Sequence, residues 1–353
     1  MSSLAKTFAR IQRALCAAAG LALALLALSA PGADATQLTQ VAEATGRVEV
    51  NAMEYPWSAI GRVNAGGRGH CTGFLIGARQ VLTAAHCLYD KREGRWRGAS
   101  ELHFVAGYQR DAYLIHSPVA SYERSRGFEA STGATMGNAV TDWALLTLEK
   151  PIGLKAGWLG LRRLDSDLLE RIKHRQVRLI QAGYRRGWSH IMSANLECAV
   201  IGFFEQRRGI VHGCDVAQGD SGSPLLVLVD GGFQVAGMHV LNGRTQAGRV
   251  AGALSVALFH PKSGSGQAVK ALRGAGAVWS GGRAPPGSGP ASPVPLRTID
   301  YLLGERAHPG AAGAARPSRE RRAAIAEFET RRGLPVTGRA SLALLVQLLQ
   351  ARD

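Results

Sequence analysis

The stretch Gly219-Asp220-Ser221-Gly222-Ser223-Pro224 decides the fold class of this chain, because it sets Ser221 in a glycine-rich turn directly before an apolar run, Pro224 to Val229. Glycines beside a serine let the backbone turn sharply, since glycine adopts conformations that other residues avoid. Such a turn also lets backbone N–H groups converge on one point, where they can stabilise an oxyanion. On its own the stretch fits an ordinary glycine-rich turn, so its meaning depends on the rest of the chain.

Two earlier segments supply the groups that would activate a serine: Thr83-Ala84-Ala85-His86-Cys87 and Asp142-Trp143-Ala144-Leu145-Leu146. A serine hydroxyl is a poor nucleophile at neutral pH. It needs a histidine to take its proton, and the histidine needs a carboxylate to hold its tautomer. Each segment alone is weak evidence, because a lone histidine is usually structural. In the order His, Asp, Ser they together indicate a catalytic triad.

With this order and these flanks, the sequence resembles the trypsin/chymotrypsin family of serine proteases over about residues 45 to 260. The resemblance implies a mainly β fold, a chymotrypsin-like double antiparallel β-barrel of six strands each, with the triad in the cleft between the barrels. It implies that His86 is the general base, Asp142 its orienting carboxylate and Ser221 the nucleophile. The N–H groups of Gly219 and Ser221 would form the oxyanion hole. A catalytically inactive, protease-like binding protein remains the alternative.

Within the family, the chain is similar to the bacterial glutamyl endopeptidases, on the basis of Tyr55-Pro56-Trp57-Ser58-Ala59-Ile60-Gly61, Cys214-Asp215 and Gly237-Met238-His239-Val240. Ser223 also stands in place of a second glycine. The chain lacks the Ile-Val-Gly-Gly start of animal enzymes, in which a new N-terminus pairs with the carboxylate before the serine. Asp220 is nevertheless present, and its partner is left open.

Two residues are candidates for the substrate pocket. Asp215 lies six residues before Ser221, where trypsin-like enzymes carry the carboxylate that selects arginine or lysine. His239 matches the pocket histidine of glutamyl endopeptidases, which binds an acidic side chain. A surface aspartate and a core histidine are the structural alternatives. Basic, acidic and small or apolar preferences therefore all stay open.

The expected oxidation state of the cysteines depends on the compartment in which the protein is located. The sequence has five, and Cys16 lies in the predicted signal peptide, so four would remain in an oxidising compartment and form two disulfides. Sequence alone allows three pairings. The resemblance implies Cys71 with Cys87, beside the catalytic histidine, and leaves Cys198 for Cys214. No CxxC pair or HExxH motif is present, so neither a metal nor another cofactor is predicted.

The composition narrows the class of protein and its partners. The chain has 353 residues, 46% of them apolar, and its 44 glycines favour a loop-rich β protein over a helical bundle. Its formal charge of +16 is consistent with an anionic binding partner, and equally with a basic surface that only keeps the protein soluble. No nucleic-acid-binding motif occurs in its required context, so nucleic acid is not a predicted partner. The predicted partner is a protein or peptide substrate.

The first 35 residues have the pattern of a signal peptide. Basic residues within 6–13 precede an apolar run over 14–28, which is short for a membrane span. Ala33-Asp34-Ala35 then has small residues at the two positions that a signal peptidase recognises. We expect cleavage after Ala35 and a periplasmic or secreted protein with no membrane span after cleavage. An uncleaved N-terminal anchor is the alternative. The protease domain would then occupy residues 36–261.

The end of the chain predicts a linker and a small helical domain. Residues 262–294 are rich in Gly, Pro and Ser, which predicts a linker, and within them Ala284-Pro285-Pro286-Gly287-Ser288-Gly289-Pro290 cannot build a core. Residues 295–353 show helical spacing in three segments and resemble the peptidoglycan-binding-like domain of bacterial wall enzymes, which makes peptidoglycan a candidate partner. Glu329 departs from that pattern, because a glutamine is usual there. A wall amidase is disfavoured, since such enzymes usually use zinc or cysteine chemistry that this sequence lacks.

Overall fold

The structure is a computed structural model that describes residues 47–66, 69–229, 232–245, 248–262, 264–274, 281–286, 296–307 and 318–350. The predicted signal peptide, residues 1–35, lies outside the described residues. The strands are β1 (Arg47–Glu49), β2 (Ile60–Ala65), β3 (His70–Leu75), β4 (Gln80–Thr83), β5 (Tyr89–Asp90), β6 (Arg95–Trp96), β7 (Leu102–Ala106), β8 (Ile115–Arg124), β9 (Ala144–Leu148), β10 (Gly160–Leu161), β11 (Leu179–Gly183), β12 (Ser193–Cys198), β13 (Val200–Phe204), β14 (Gly209–His212), β15 (Pro224–Val229), β16 (Gly232–Thr245) and β17 (Gly248–Ser255).

Six antiparallel strands close into the first barrel, in the order β2-β3-β4-β9-β8-β7. The sequence of β7 shows why such strands form: Leu102, Phe104 and Ala106 are fully buried, while His103 between them is exposed. This alternation places one face of the strand in the barrel interior. The mainly β, chymotrypsin-like fold expected from the sequence is confirmed.

The second barrel of the expected fold is represented by a nine-stranded sheet, in the order β1-β12-β11-β15-β16-β17-β14-β13, with β10 beside β16. All six residues of β15 are buried, so both of its faces are covered. The sheet exceeds the expected six strands partly because β1 extends it beyond β12. This added edge strand carries Arg47, whose side chain is fully buried.

The helices are α1 (Gly153–Ala156), α2 (Ser166–Lys173), α3 (Gly266–Gly274), α4 (Leu296–Ala307), α5 (Ser318–Arg331) and α6 (Leu342–Gln350). The side chain of Asp165 caps α2 by accepting a hydrogen bond from the Leu168 N–H at 2.9 Å. In the part of the chain that the structure describes, no helix is both long and apolar enough to cross a membrane.

The prediction that all of residues 262–294 form a linker was wrong for its first part. Helix α3 lies inside that stretch, and its Ala268, Ala271 and Leu272 are buried in the main core. Three apolar side chains at helical spacing are enough to bury one face of a short helix. Further on, Trp158 donates its indole N–H to the carbonyl of Gly281, so this segment also packs on the strand-rich part of the chain.

Helix α4 packs on both α5 and α6, and the three helices bury apolar side chains such as Ile299, Phe328 and Leu345. Glu329, which departs from the expected glutamine, is 5% exposed, and its carboxylate accepts hydrogen bonds from both the N–H and the hydroxyl of Thr337, each at 2.6 Å. This glutamate therefore holds the turn before α6. Helix α4 also contacts β1, so the helical unit packs against the sheet.

Candidate active site

His86 and Asp142 are in direct contact. Nδ1 of His86 lies 2.5 Å from Oδ2 of Asp142, and the backbone N–H of His86 donates to Oδ1 at 2.9 Å. Asp142 is fully buried, whereas the His86 side chain is 21% exposed. A buried carboxylate bound to Nδ1 fixes the ring orientation and places the proton on that nitrogen. Nε2 is then the basic nitrogen, on the opposite edge of the ring.

The register of two barrel strands brings these residues together. Strand β4 pairs with β9 so that Thr83 lies opposite Ala144. His86 follows β4 in the short helical turn Ala85–Leu88, and Asp142 lies just before β9. Because the strands are antiparallel, the end of β4 and the start of β9 lie at the same end of the barrel.

The turn that carries Ser221 is held against the first barrel by Thr72 of β3. The N–H of Thr72 donates to the carbonyl of Ser221 at 2.9 Å, and its hydroxyl donates to the carbonyl of Gly219, also at 2.9 Å. Since β3 pairs with β4, this places the serine turn beside the segment that carries His86. Sγ of Cys87 lies 3.9 Å from the carbonyl oxygen of Ser221, which shows how close the two segments are.

The serine turn has the backbone geometry that only glycine tolerates. Gly219 has φ of +98°, and a Cβ on it would lie 2.4 Å from the carbonyl oxygen of Tyr184. The carbonyl of Gln218 accepts a hydrogen bond from the N–H of Arg186, at 2.6 Å. In a trans peptide the C=O and N–H point in opposite directions, so the Gly219 N–H is directed away from Arg186. Among the described residues, no protein group accepts from the N–H of Gly219 or Ser221.

Arg47 binds the carboxylate of Asp220, the residue directly before Ser221. Its two terminal nitrogens each lie 3.2 Å from one carboxylate oxygen, and neither side chain is exposed. The remaining N–H groups donate to Ser193, Gln181 and the carbonyl of Asp215. Burial lowers the pKa of Arg47, and the charge of Asp220 opposes that shift. All three guanidinium nitrogens of Arg47 therefore donate hydrogen bonds to protein groups.

Asp215, predicted as a pocket residue, is bound by another arginine. Its Oδ2 lies 2.5 Å from a terminal nitrogen of Arg185, and both side chains are mostly buried. Its backbone carbonyl accepts from Arg47 at 2.7 Å and from the Asn195 amide at 3.0 Å. The carboxylate charge is therefore already compensated inside the chain.

His239, the other predicted pocket residue, is fully buried beside His212. Nδ1 of His239 lies 3.3 Å from Nε2 of His212. Burial lowers the pKa of His239 to about 4, and it also lowers that of His212, so both rings are neutral near pH 7. The His239 backbone flanks the serine turn, since its carbonyl accepts from the Gly222 N–H at 2.7 Å and its N–H donates to Ser223 at 2.8 Å.

Both disulfides form with the pairing that the resemblance implied, Cys71–Cys87 and Cys198–Cys214. The first joins β3 to the turn that holds His86. Ligand-type atoms of Cys71, Cys87 and His86 lie within 4.8 Å of one another, as in a metal site. The two sulfurs are bonded to each other, however, so neither is a thiolate available to a metal.

Sequence reasoning missed Thr72 and Arg47. Thr72 has no local signal, because its importance comes from contacts with a turn about 150 residues away in sequence. The segment Arg47-Val48-Glu49 alternates polar and apolar residues, a pattern that predicts an exposed face for Arg47. An edge strand packed over the site buries that face instead.

Known proteins share parts of this sequence and its fold. The family model described as Trypsin matches residues 44–261. The chain is 33% identical over 119 residues to a glutamyl endopeptidase of Bacillus licheniformis, covering 34% of this chain and 35% of that protein. It is 26% identical over 184 residues to kallikrein-8 of Mus musculus, covering 48% of this chain and 66% of that protein.

The alignments thus span from about a third to just under two thirds of these curated relatives. A solved structure of a Glu endopeptidase in complex with MPD superposes with a TM-score of 0.50 at 19% identity, covering 65% of this chain and 96% of that chain. At that identity the likeness establishes the fold.

Proposed function

The chain belongs to the trypsin family, and from that membership we propose that it is a serine endopeptidase that cleaves peptide bonds through an acyl-enzyme. The observation that carries the proposal is the contact of buried Asp142 with both the ring and the backbone of His86, beside the clamped turn of Ser221. The roles are those of a Ser-His-Asp triad.

In the proposed reaction, Oγ of Ser221 attacks the carbonyl carbon while its proton passes to Nε2 of His86. The protonated ring gives this proton to the leaving nitrogen as the C–N bond breaks, which leaves an ester on Ser221. Water then attacks the ester by the same route and releases the acid. Asp142 stabilises the imidazolium in both steps without taking a proton itself.

The N–H groups of Gly219 and Ser221 are the proposed oxyanion hole. Support comes from the Gln218 carbonyl, which Arg186 holds on the far side of its peptide, and from the absence of an accepting group for either N–H among the described residues. Two preorganised donors aimed at the developing oxyanion would stabilise the tetrahedral intermediate by several kcal/mol, at about 2.7–4 kcal/mol for one donor.

Arg47 is proposed as a positioning residue for that turn. In animal members of the family, as the resemblance implies, a new N-terminus provides the cation for the carboxylate before the serine. Here a side chain within β1 provides it, with a planar fork that matches a carboxylate. Release of an amine by cleavage would then not be required for an ordered oxyanion hole.

For the residue on the acyl side of the scissile bond, we propose an acidic preference through His239. Arg185 already compensates Asp215, which weakens the basic alternative. The His239 backbone is bonded to the serine turn, and its neutral ring would act as a hydrogen-bond donor to a carboxylate. The name of the Bacillus licheniformis relative, a glutamyl endopeptidase, agrees with this choice.

Export and wall attachment are also proposed. The signal-peptide pattern of residues 1–35 and the two disulfides support an oxidising compartment. Residues 295–353 would hold the enzyme at the cell wall. Exposed arginines such as Arg319 and Arg332 would attract anionic polymers, whereas Arg321 is bound to Asp300 at 2.6 and 2.7 Å.

Labelling with a fluorophosphonate tests the enzymatic proposal directly, because the reagent bonds covalently to an activated serine. We expect one equivalent on the wild-type protein and none on Ser221→Ala. A folded wild-type protein that neither reacts nor hydrolyses peptides would favour the alternative, a protease-like binding protein.

A further inference from the structure

A cleft of about 580 Å³ opens beside His86, on the side of the first barrel. Its walls come from β2, β3 and the β5–β6 hairpin, and its floor includes the Cys71–Cys87 disulfide. Gln218 and Gly219 close the end nearest the serine turn. The cleft therefore begins at the proposed oxyanion hole and runs away from the second sheet.

The residues that line this cleft identify which half of a substrate it would hold. Its described lining includes His86 but no residue of β15 or β16, the strands that flank the serine turn on the other side. In the proposed mechanism, the acyl group stays on Ser221 while His86 protonates the leaving amine. A cleft on the histidine side is thus placed to receive the residues that follow the scissile bond.

The cleft is strongly cationic. Lys91 and Arg92, at the tip of the β5–β6 hairpin, and Arg186 across from them are all exposed. Among the described residues none of the three forms an ion pair, and the Arg186 guanidinium donates only to the Gln218 side chain, at 3.1 Å.

The other charges in the cleft do not offset these cations. Among the described residues that line the cleft, Asp90 is the one carboxylate; it is 4% exposed and pairs with Arg97 at 2.7 Å. Burial lowers the pKa of His70, so its ring is neutral near pH 7. In the described part of the chain, Lys91, Arg92 and Arg186 therefore face the cleft without a compensating carboxylate.

We propose that this cleft selects substrates with acidic side chains in the first two positions after the scissile bond. The inference rests on the proposed endopeptidase function and adds to it a second site of selection, separate from His239. Carboxylates entering the cleft would meet Lys91, Arg92 or Arg186 without displacing an existing ion pair. A lysine in the same positions would be repelled.

The test uses peptides with one fixed acyl side that differ only after the scissile bond, carrying Glu, Gln or Lys in those two positions. We expect kcat/KM to be about tenfold higher for the Glu than for the Lys peptide at low salt, since exposed charge pairs contribute modestly. The ratio should approach one in about 1 M salt, because a Debye length of about 3 Å screens exposed charges.

Two double variants with the same change in net charge separate the cleft from the general basicity of the protein. Lys91→Glu/Arg92→Glu should reverse the preference, so that the Lys peptide becomes the better substrate. Lys155→Glu/Lys262→Glu removes two exposed cations outside the cleft and should leave the Glu-to-Lys ratio as in the wild type. Matching thermal unfolding midpoints would show that both variants are folded.

The outcomes distinguish the two levels of the proposal. Equal hydrolysis of all three peptides by wild-type protein, or the same shift in both double variants, overturns the cleft assignment and leaves the enzyme assignment intact. No hydrolysis of any peptide, together with no fluorophosphonate labelling, would mean that the underlying endopeptidase proposal has failed.

Discussion

The guanidinium of Arg47 is bound edge-on to the carboxylate of Asp220, with both oxygens at 3.2 Å and with neither side chain exposed. Replacing Arg47 with Met would leave a buried carboxylate without its cation. Removing one partner of a buried pair typically costs about 3–5 kcal/mol. We therefore expect Arg47→Met to lower the free energy of unfolding by that amount, measured by urea denaturation, and to lower kcat.

A milder and a compensated variant keep this prediction testable if Arg47→Met fails to fold. Arg47→Lys retains the charge but loses the fork, so it should retain more stability and turnover than the Met variant. Arg47→Met/Asp220→Asn removes both charges and should regain stability. Wild-type turnover in a folded Arg47→Met protein would show that the pair does not position the serine turn.

A second prediction concerns the chain upstream of β1. Because a side chain within the sheet provides the cation for Asp220, residues fused ahead of Arg47 should not lower kcat. Active-site titration of matched proteins, one starting at Thr36 and one with a short extension there, would check this. Activity only in the unextended protein would mean that a free amine is needed after all.

The triad residues should differ in their effects. Ser221→Ala and His86→Ala should each lower kcat by on the order of 10⁶, since the triad acts as a unit. Asp142→Asn should lower it by about 10⁴, because the amide favours the wrong histidine tautomer. Steady-state hydrolysis of one peptide by all four proteins gives the comparison. Hydrolysis by Ser221→Ala at the wild-type rate would exclude Ser221 as the nucleophile.

We expect His239, and not Asp215, to determine which residue is accepted on the acyl side of the scissile bond. In Asp215→Asn, Arg185 loses its ionic partner, so we expect lower stability with an unchanged order of Glu, Gln and Lys substrates. His239→Gln should weaken discrimination between Glu and Gln. Profiling both variants on the same peptide set decides between them. A gain of acceptance for neutral residues in Asp215→Asn alone would restore the basic-pocket alternative.

The buried histidines predict a dependence of stability on pH. His239 has its pKa lowered from 6.5 to about 4, so between these values the unfolded chain binds more protons than the folded one. Stability is fully present above pH 6.5 and is lost as the pH falls toward 4. This shift corresponds to roughly 3 kcal/mol, and burial lowers the pKa of His212 in the same direction.

Urea unfolding at pH 7 and at pH 4.5 measures this loss. The double variant His212→Gln/His239→Gln has no titrating ring at either position, so its stability should change less between the two pH values. An equal loss in the variant and the wild type would assign the effect to other groups.

Much of the site follows from sequence because its signals are local. The flanks of His86, Asp142 and Ser221 lie within a few residues of each side chain. The parts that were not predicted depend on tertiary contacts. Thr72 binds the serine turn, Arg185 pairs with Asp215, and an edge strand buries Arg47. Helix α3 was missed because the Gly- and Ser-rich composition around it obscured three buried apolar residues.

The cation built into β1 also bears on how a cell would tolerate this protein. A protease that is activated by cleavage is inactive when it first folds. Here competence would arrive together with the folded sheet, since Arg47 reaches Asp220 only when β1 pairs with β12. Under the proposed export, a chain that crossed the membrane unfolded would be inactive inside the producing cell and would become a protease only where it folds.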